Sequence, residues 1–426
     1  METDREASPR EGRGTLAELL VGEARFRNLW MSQCVSEIGD WFQLVALVSM
    51  LPTRGGGVGS LAGLFVVRYV AMALLSPLAG VLADRYHRGR VMIVADLARV
   101  LVALAFTRVR GPEDLPLAYG LSFALEGFAT IFEPARGAAT PQIVPTRLLY
   151  AANTLGSATW SAMLAIGTVV GGLFTAALGR EAAFEINAAS FALSAIFVWR
   201  ARIPALPRSQ PRAERPSPAR DLVDGLAYLR DHPAQRAIAF AKAGALLWGG
   251  IAVIVSVFAD RLFRPTDVAI STGIMYGGRG LGAFVVPFVM ARVFGETPRG
   301  LVRSIQWAFP VAFAAFSVFS LGLGVVPCAA ALFVAHGATA TVWVSSAQLL
   351  QMTVPNRVLG RVLSVELLLL TVALASSSGL AALLMGRFGL TPQRTGFAIA
   401  ALLLPPFVYF TYVARRHTAA LESAER

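Results

Sequence analysis

Apolar runs long enough to cross a bilayer recur along almost the whole chain, and they limit the possible folds more than any other feature. A helix needs about 20 such residues to span the hydrocarbon core. Inside that core all backbone polar groups must be paired internally, so only helices and closed barrels can cross it. The runs are long and lack alternation with period two, which favours helices. The predicted spans lie near residues 27–51, 58–82, 91–110, 115–134, 150–178, 181–200, 236–259, 268–291, 302–324, 328–352, 360–386 and 393–414.

The composition also indicates a membrane protein. Of the 426 residues, 55% are hydrophobic and only 15% are charged, and the mean hydropathy is +0.60. Soluble domains contain about 25% charged residues. The net charge of +12 does not indicate nucleic-acid binding, because the arginines lie in short connections rather than on one soluble domain. We therefore predict a lipid bilayer around the chain and no nucleic-acid partner.

A segment rich in proline and arginine, residues 201–220, separates the sixth and seventh spans. It cannot pack as a core and is typical of an extended linker. The sequence DLVDGLAYLRDHP that follows is typical of a short amphipathic helix at the membrane surface. The predicted domains are an N-terminal tail at 1–25, a six-helix bundle at 26–200, a linker with its amphipathic helix at 201–235, a second six-helix bundle at 236–414 and a C-terminal tail at 415–426.

The distribution of basic side chains predicts the orientation of the chain. If both termini are cytoplasmic, about 26 of the 38 Lys and Arg residues fall in cytoplasmic segments and about 8 in external ones. The N-terminal residues lack the apolar core and cleavage site of a signal peptide, so the first span is expected to act as an uncleaved targeting signal. The strong preference for Arg over Lys indicates a bacterial genome rich in GC. We therefore predict a multi-pass protein of the bacterial cytoplasmic membrane with both termini cytoplasmic.

The two halves of the sequence resemble each other. PQIVPTRLLYAANTL enters the fifth span, and the similar QMTVPNRVLGRVLSVELL enters the eleventh. Arg68 precedes Pro77 in the second span much as Arg279 precedes Pro287 in the eighth. Two parallel halves with substrate handled at their interface are a common transporter design. We therefore predict an all-α fold of twelve transmembrane helices in two pseudo-symmetric six-helix bundles.

The stretch GVLADRYHRGRV, residues 80–91, crowds charge into the turn between the second and third spans. Its arginines could simply anchor helix ends to the membrane surface. That interpretation does not account for Gly80, which permits close helix approach, or for Asp84, which is placed to meet a helix N-terminus or an arginine. Pseudo-symmetry offers Arg361 of the eleventh span as this arginine. The residues assigned to such a cytoplasmic latch are Gly80, Asp84, Arg85, Arg88, Asp96, Arg99 and Arg361, where Asp96 and Arg99 can also form a local ion pair.

The stretch GVLADRYHR at 80–88 resembles the signature between helices two and three of the major facilitator superfamily, with His87 in place of a glycine. SEIGDWFQLVAL, EPARGAATPQIVPTRLLYAAN, AAFEINAASFALSA and DGLAYLRDHP are similar to sequences of the efflux branch that includes macrolide and enterobactin exporters. The resemblance covers roughly residues 26–414. It implies a twelve-helix transporter that alternates between inward and outward access, with Asp84 and Arg85 helping to latch the cytoplasmic side.

Two motifs depart from this family pattern. The antiporter signature of helix five has the form G-P-x-x-G-G, whereas this chain reads GTVVGG. The packing glycines Gly167, Gly171 and Gly172 remain, but the missing proline weakens the argument for export. The arginine of related drug antiporters on helix four is also missing, and Glu126 occupies that region instead.

Several ionisable residues fall inside predicted spans, where each costs about 2.5–3.5 kcal/mol on insertion scales. Asp40 lies near the middle of the first span, Glu37 one turn earlier, and Glu126 near the middle of the fourth. We predict these three carboxylates as proton-coupling candidates. A buried Asp40–Arg68 or Glu126–Arg68 pair that only holds helices together is the alternative.

Arg68 and Arg279, with Trp41 and Gln43, are the predicted substrate-cavity residues. The two arginines could instead form ion pairs that only hold helices together, and Trp41 could face lipid or the protein core. Lys242 lies near the cytoplasmic end of its span, as does Glu366, and both are expected to extend their charged groups toward the membrane surface.

The sequence offers no nucleotide site of the Walker type, because Lys242 in FAKAGA is its only lysine. It also lacks HExxH and clustered Cys/His motifs, so we predict no enzyme activity, cofactor or metal site. The predicted function is secondary transport by a monomer, most simply proton-coupled efflux of a small amphipathic molecule such as a drug, a macrolide-like compound or a siderophore. The alternatives are uptake or export of an organic anion bound between Arg68 and Arg279, and a non-transporting membrane receptor or assembly protein.

Overall fold

The computed structural model describes residues 15–50, 57–110, 112–205, 218–263 and 267–416, and within them it contains sixteen α-helices and no strand. The helices of the first half are α1 (Leu16–Gly22), α2 (Ala24–Met50), α3 (Gly57–Arg85), α4 (Arg88–Ala105), α5 (Leu115–Ile143), α6 (Leu149–Leu178) and α7 (Arg180–Arg200). The helices of the second half are α8 (Pro218–Asp231), α9 (Pro233–Ala245), α10 (Gly249–Val257), α11 (Val268–Phe294), α12 (Pro298–Ser320), α13 (Val325–Thr353), α14 (Asn356–Gly386), α15 (Pro392–Ala401) and α16 (Leu404–Arg416).

Twelve membrane segments are formed by these helices, as the sequence predicts. Ten segments of the described residues are long and apolar enough to cross a bilayer, with α9 and α10 forming one and α15 and α16 another. The other two are α2 and α4, which carry more charged side chains and pack inside the same bundle. The fourth segment continues to Ile143, beyond the predicted end at residue 134, because Pro134 and Pro141 lie inside α5 without ending it.

The segments form two bundles that repeat one packing scheme. In the N-terminal bundle α2 packs on α6 and α7, α3 on α5, and α4 on α5 and α7. In the C-terminal bundle α13 packs on α9, α11 and α12, and α14 packs on α10. The bundles contact each other through α6 with α11 and α3 with α14. Equivalent helices of the two halves therefore form the interface, which confirms the pseudo-symmetric fold.

Glycines allow the close approach of α6 and α11. A Cβ atom at Gly172 would lie 2.5 Å from the carbonyl oxygen of Ala269, and one at Gly280 would lie 2.5 Å from the backbone nitrogen of Ala165. Gly273 of α11 faces Gly172 directly. Small residues that bring backbones together are the usual basis of tight helix packing in membranes.

Gly167 and Gly171 serve a different contact within the N-terminal bundle. A Cβ at Gly167 would lie 3.0 Å from Cβ of Trp41, and one at Gly171 would lie 2.9 Å from Cα of Phe42. The GTVVGG stretch of α6 therefore packs on two neighbouring helices: Gly167 and Gly171 contact α2, and Gly172 contacts α11.

The close glycine contacts between the bundles lie toward one side of the membrane. We call the end that holds the first residues of α2 and the last residues of α16 the terminus face, and the opposite end the loop face. The glycine contacts of α6 with α11 run from the loop face to the middle of the helices. Near the terminus face, Gly80 of α3 and Gly360 of α14 are exposed, and a Cβ at either would meet no atom of the described chain within 4 Å.

A short helix precedes each bundle at the terminus face. Helix α1 buries Leu19, and its Glu18 forms an ion pair with Arg147 in the turn before α6. Helix α8 packs on α14, where Asp224 lies 3.1 Å from Arg361. Helix α8 covers most of the stretch DLVDGLAYLRDHP, whereas residues 206–217 of the linker lie outside the described residues.

Candidate functional site

Arg68 and Glu126 form an ion pair between α3 and α5 in the middle of the N-terminal bundle. The guanidinium Nε donates a hydrogen bond of 2.9 Å to the Glu126 carboxylate, and a second guanidinium nitrogen lies 2.8 Å from the same oxygen. Their side chains remain 30% and 21% exposed. Of the two pairings left open for Arg68 by the sequence, the geometry selects Glu126.

Asp40 belongs to a second ionic group between α2, α4 and α7. Its carboxylate lies 3.7 Å from Arg99, whose guanidinium also pairs with Asp96. Asp96 accepts a 2.7 Å hydrogen bond from Ser194 and is fully buried, whereas the Asp40 side chain is 35% exposed. The local Asp96–Arg99 pair considered from the sequence therefore occurs. One cation holds two carboxylates, of which only Asp40 is accessible.

Glu37 joins a third polar group closer to the terminus face. Gln33 donates a 2.8 Å hydrogen bond to one Glu37 oxygen and accepts one of 2.8 Å from Arg136. Arg136 in turn lies 2.7 Å from Glu133, whose side chain is 56% exposed. The other Glu37 oxygen is buried and has no hydrogen-bond partner among the described residues. Gln33, Arg136 and Glu133 are not among the site residues predicted from the sequence, although EPAR carries two of them at helical spacing.

Trp41 and Gln43 lie on different sides of α2. Trp41 is partly buried and packs edge-on against Trp160 of α6, with ring centroids 5.9 Å apart. Gln43 is 1% exposed and accepts a hydrogen bond of 2.5 Å from Asn187 of α7. The structure therefore places Gln43 in a helix interface of the N-terminal bundle, away from the exposed side of the charged groups.

Arg279 lies in an aromatic environment in the C-terminal bundle. It is 8% exposed, and its guanidinium carbon lies 3.9 Å from the ring centre of Trp248 and 5.2 Å from that of Tyr276. Its Nε donates a 2.8 Å hydrogen bond to Nε2 of His336. Since this nitrogen accepts a hydrogen bond, it carries no proton in this arrangement. Among the described residues no carboxylate oxygen lies within 4.0 Å of Arg279.

The two arginine pairs occupy equivalent positions. Arg68 and Arg279 each lie eleven residues after the first residue of α3 and α11, and Glu126 and His336 each lie eleven residues after the first residue of α5 and α13. His336 is not among the site residues predicted from the sequence. Its spacing within the span could have identified it as the counterpart of Glu126.

Lys242 and Glu366 do not extend toward the membrane surface, and that expectation was wrong. Their charged atoms lie 2.9 Å apart between α9 and α14, and their side chains are only 6% and 4% exposed. The Lys242 ammonium also lies 4.2 Å from the ring centre of Trp343. A buried cation is stabilised by an opposite charge and an aromatic face, so pairing across helices replaces contact with water.

Several residues assigned to the latch have their partners within one bundle. Arg88 donates a 2.7 Å hydrogen bond to the carbonyl of Ala138 in α5, and Arg85 is exposed. Arg361 is paired with Asp224 of α8. The side chain of Asp84 lies outside the described part of the chain. Gly80 is exposed, and a Cβ there would meet no atom of the described chain within 4 Å.

The chain matches the family described as transmembrane secretion effector over residues 15–426. It is 25% identical over 207 residues to the uncharacterized MFS-type transporter YfiS of Bacillus subtilis, covering 48% of this chain and 49% of that one. It is 24% identical over 277 residues to macrolide efflux protein A of Streptococcus pyogenes, covering 61% and 66%. The matched regions thus span about half to two thirds of these relatives.

Solved structures with the same fold include the POT family transporter PepTSo, with a TM-score of 0.70 and 12% identity over 93% of this chain and 99% of that one. A bacterial homologue of the human lysosomal transporter Spinster gives a TM-score of 0.66 and 14% identity over 93% and 97%. At such identities the likeness shows the fold alone. Together with the family match over nearly the whole chain, it shows that the protein belongs to the transmembrane secretion effector family of major facilitator superfamily transporters.

Proposed function

We propose that the protein is a secondary active transporter that exports a small amphipathic molecule, such as a drug, a macrolide-like compound or a siderophore, in exchange for protons. The observation that carries the proposal is Asp40, a partly exposed carboxylate in the middle of a membrane span that shares the buried Arg99 with Asp96. A carboxylate that is reached by solvent and held by a cation can lose and regain a proton as its surroundings change.

The bundle interface supports alternating access. Contact between α6 and α11 closes the loop-face half, while Gly80 and Gly360 near the terminus face are uncovered. If the two bundles rock about the partly exposed Arg68, Glu126 and Asp40, the loop-face half opens while the terminus-face half closes. The symmetric arrangement of α3, α6, α11 and α14 provides equivalent contacts for both states.

The efflux direction is supported by similarity to macrolide efflux protein A. In the proposed orientation the terminus face is cytoplasmic in a bacterial cytoplasmic membrane, because the arginines concentrate there. Labelling Arg85→Cys and Glu113→Cys with an impermeant maleimide, after Cys34 and Cys328 are replaced by serine, tests the orientation. We expect intact cells to label Glu113→Cys only, and the reverse pattern would contradict it.

The main experiment compares Asp40→Asn with the unmodified protein. Candidate substrates come from an accumulation screen in a host that lacks its own efflux pumps. Purified protein in vesicles should then move a substrate against its gradient when a pH gradient is imposed. We expect Asp40→Asn to lose this uphill movement and to retain substrate binding, because the amide cannot carry a proton.

Glu185→Gln is the matched control, since Glu185 is an exposed carboxylate of α7 outside the three ionic groups. It should transport normally. Flux that persists after collapse of the proton gradient, together with full activity of Asp40→Asn, would contradict proton coupling.

A second candidate function is transport of an organic anion bound near Arg68 and Arg279. It is favoured by Arg279, a nearly buried guanidinium without a carboxylate partner within the described residues. Arg279→Ala should lower transport of anionic substrates far more than that of neutral ones, while Arg68→Ala should do so less because Glu126 already balances Arg68. Equal effects of both variants on both substrate types would count against this candidate.

The same vesicle flux assay distinguishes a non-transporting receptor from both transport functions. A receptor binds compounds from the screen without moving them. Absence of flux across the library, with binding retained, would therefore favour the receptor over either transport function.

A further inference from the structure

Glu37 of α2 has one carboxyl oxygen that is paired and one that is not. Gln33, one turn earlier on the same helix, donates a 2.8 Å hydrogen bond to Oε1 of Glu37. Oε2 is buried and has no hydrogen-bond partner among the described residues. Burying an ionised carboxylate without full pairing is costly, and such a group takes up a proton instead. The geometry therefore indicates that Glu37 is protonated in this conformation.

Arg136 of α5 fixes the orientation of the Gln33 amide. Its guanidinium donates a 2.8 Å hydrogen bond to Oε1 of Gln33, so the amide nitrogen is the atom that faces Glu37. The same nitrogen lies 3.0 Å from the carbonyl oxygen of Gly156 in α6. Gln33 is therefore held in place between the Glu37 carboxyl group and the Arg136 cation.

Arg136 has an unused donor that suits the ionised form of Glu37. Its Nε is buried and lacks a hydrogen-bond partner among the described residues, as Oε2 of Glu37 does. The charge of Arg136 is balanced by Glu133, which lies 2.7 Å away and has a side chain that is 56% exposed. A guanidinium and a carboxylate pair strongly through hydrogen bonds of this kind. The described residues therefore include both members of an ion pair that Gln33 keeps apart.

The charges around Glu37 come from two helices. Arg136 and Glu133 of α5 act on it, together with Asp40 of α2 itself, which lies one turn farther from the terminus face. Helix α6 packs on α2 from another side and carries no charged residue. A proton on Glu37 can therefore be exchanged for pairing with Arg136 on one side, and Asp40 is the neighbouring carboxyl group on the other.

We propose that Glu37 is a second proton-carrying residue, which takes the proton from Asp40 and releases it at the terminus face. In this conformation Asp40 has the cation Arg99 within 3.7 Å, whereas the carboxyl group of Glu37 contacts only an amide, as expected after such a transfer. On release the O–H bond of Glu37 breaks, the proton passes to water at the terminus face, and Arg136 replaces Gln33 as the partner of the carboxylate. Carboxyl groups in series form proton paths in many membrane transporters. This inference rests on the proposed proton coupling through Asp40.

Infrared spectra of the purified protein in lipid vesicles test the protonation of Glu37 without any substrate. At neutral pH the C=O stretching band of protonated carboxyl groups should be weaker in Glu37→Gln than in the unmodified protein. Arg136→Gln should keep the band, because an ionised Glu37 would then have no cation to pair with. The matched control Glu185→Gln, which changes an exposed carboxylate of α7, should also keep it. An unchanged band in Glu37→Gln, or an equal loss in Glu185→Gln, would overturn the proposal.

Transport in the same vesicles tests whether this proton moves, with the labelled compound that the accumulation screen selects as the probe. With the membrane potential held at zero and a pH gradient of about one unit, one coupled proton gives an accumulation ratio of about ten. Glu37→Gln and Arg136→Gln should both reduce this ratio to about one and still exchange labelled for unlabelled compound. Glu185→Gln should keep both activities.

The outcomes separate the relay from the wider proposal. Full accumulation by Glu37→Gln would overturn the relay and leave the role of Asp40 intact. Loss of exchange together with accumulation in Glu37→Gln would also overturn it, since the residue would then be needed for folding or binding. If the unmodified protein shows no accumulation driven by the pH gradient, proton coupling fails as a whole and the relay fails with it.

Discussion

The two bundles place different chemistry at the same two positions. In the middle of the membrane, Arg68 of the N-terminal bundle pairs with a carboxylate, whereas Arg279 of the C-terminal bundle pairs with the neutral His336. The first pair is partly exposed, and the second arginine is nearly buried against Trp248. Equivalent backbone positions therefore carry a balanced pair in one half and an unbalanced cation in the other.

Nearer the terminus face the pattern is reversed. Gln33 and Lys242 each lie nine residues after the first residue of α2 and α9, and Thr159 and Glu366 each lie ten residues after that of α6 and α14. In the C-terminal bundle these positions form a buried ion pair. In the N-terminal bundle these positions carry uncharged side chains: Thr159 accepts a hydrogen bond of 2.8 Å from Trp30, and Gln33 bonds to Glu37 and Arg136.

The difference gives the two halves opposite charge balances. Among the described ionic groups, the N-terminal bundle holds five carboxylates and three guanidinium groups, namely Glu37, Asp40, Asp96, Glu126 and Glu133 with Arg68, Arg99 and Arg136. Those of the C-terminal bundle are two cations, Lys242 and Arg279, and the carboxylate of Glu366. An excess of carboxylates suits proton uptake, and an excess of cations suits an anionic or electron-rich ligand. This division supports the assignment of coupling to the first bundle.

The largest effect is expected when the buried pair of the C-terminal bundle is broken. Glu366→Gln leaves the Lys242 ammonium buried without a counterion, which should lower the free energy of unfolding by about 3–5 kcal/mol. Thr159→Val removes only a neutral hydrogen bond at the equivalent position and should cost about 1 kcal/mol. SDS titration of the purified proteins in mixed micelles measures both.

The double variant Lys242→Gln with Glu366→Thr copies the neutral side chains of the N-terminal bundle into the C-terminal one. It should recover much of the stability lost in Glu366→Gln, because no unpaired charge remains. If Glu366→Gln lowers the free energy of unfolding no more than Thr159→Val does, the buried ion pair contributes no more to stability than the hydrogen bond at the equivalent position, which contradicts the contrast between the bundles.

A smaller effect is expected from Glu126→Gln in the N-terminal bundle. The variant removes the carboxylate that pairs with Arg68, but both side chains are partly exposed and Arg68 can gain other contacts. We expect the free energy of unfolding to fall by about 1.5 kcal/mol, the lower end for hydrogen bonds to charged groups. The same titration measures it, and a loss as large as that of Glu366→Gln would contradict the contrast between the two pairs.

The sequence predicts the helices better than it predicts their charged partners. Membrane spans are local features, since each depends on one apolar run, and the twelve spans are therefore predicted to within a few residues at most ends. Pairing joins residues that are distant in sequence. The depth of Lys242 in its span suggested exposure to the surface, whereas Glu366 lies 2.9 Å away on another helix. Arg68 had two candidate partners, and only packing of α3 on α5 selects Glu126.

His336→Glu would give the C-terminal bundle the same ion pair as the N-terminal one. The new carboxylate would balance Arg279, so an anionic substrate would lose its attraction. If an anion is bound there, its flux relative to a neutral substrate should fall about tenfold, which corresponds to about 1.4 kcal/mol. The measurement is parallel flux of one anionic and one neutral substrate in vesicles.

His336→Gln is the control for this exchange. Its amide oxygen can still accept the hydrogen bond from Arg279 without adding charge, so the ratio of the two fluxes should stay near that of the unmodified protein. A fall of similar size in both variants would show that the shape of the side chain matters and its charge does not.

The smallest change in stability is expected in α1 and α8, the short helices that precede the bundles. Arg147 donates to Glu18 of α1 and holds the pKa of this carboxyl below its ordinary value of 4.5. Because the carboxyl pKa is lower in the folded form, the charged carboxyl stabilises that form at pH values above the ordinary pKa. This stabilisation is lost as the pH falls through the lowered pKa. Hydrogen exchange of α1, corrected for the intrinsic rate, should therefore accelerate below about pH 4.5. In Glu18→Gln, α1 should exchange faster at neutral pH and lose this pH dependence.

Asp224→Asn makes the matching change in α8, where the pair with Arg361 is also partly exposed. Exposed pairs of this kind contribute about 0.2–1 kcal/mol. The variant should loosen α8 without altering the exchange of α1, since α1 packs on α2 and α6 whereas α8 packs on α9 and α14. Should either variant instead stop transport while the protein stays folded, the preceding helices would have to take part in the motion of the bundles, and the contrast between the halves would extend beyond their membrane charges.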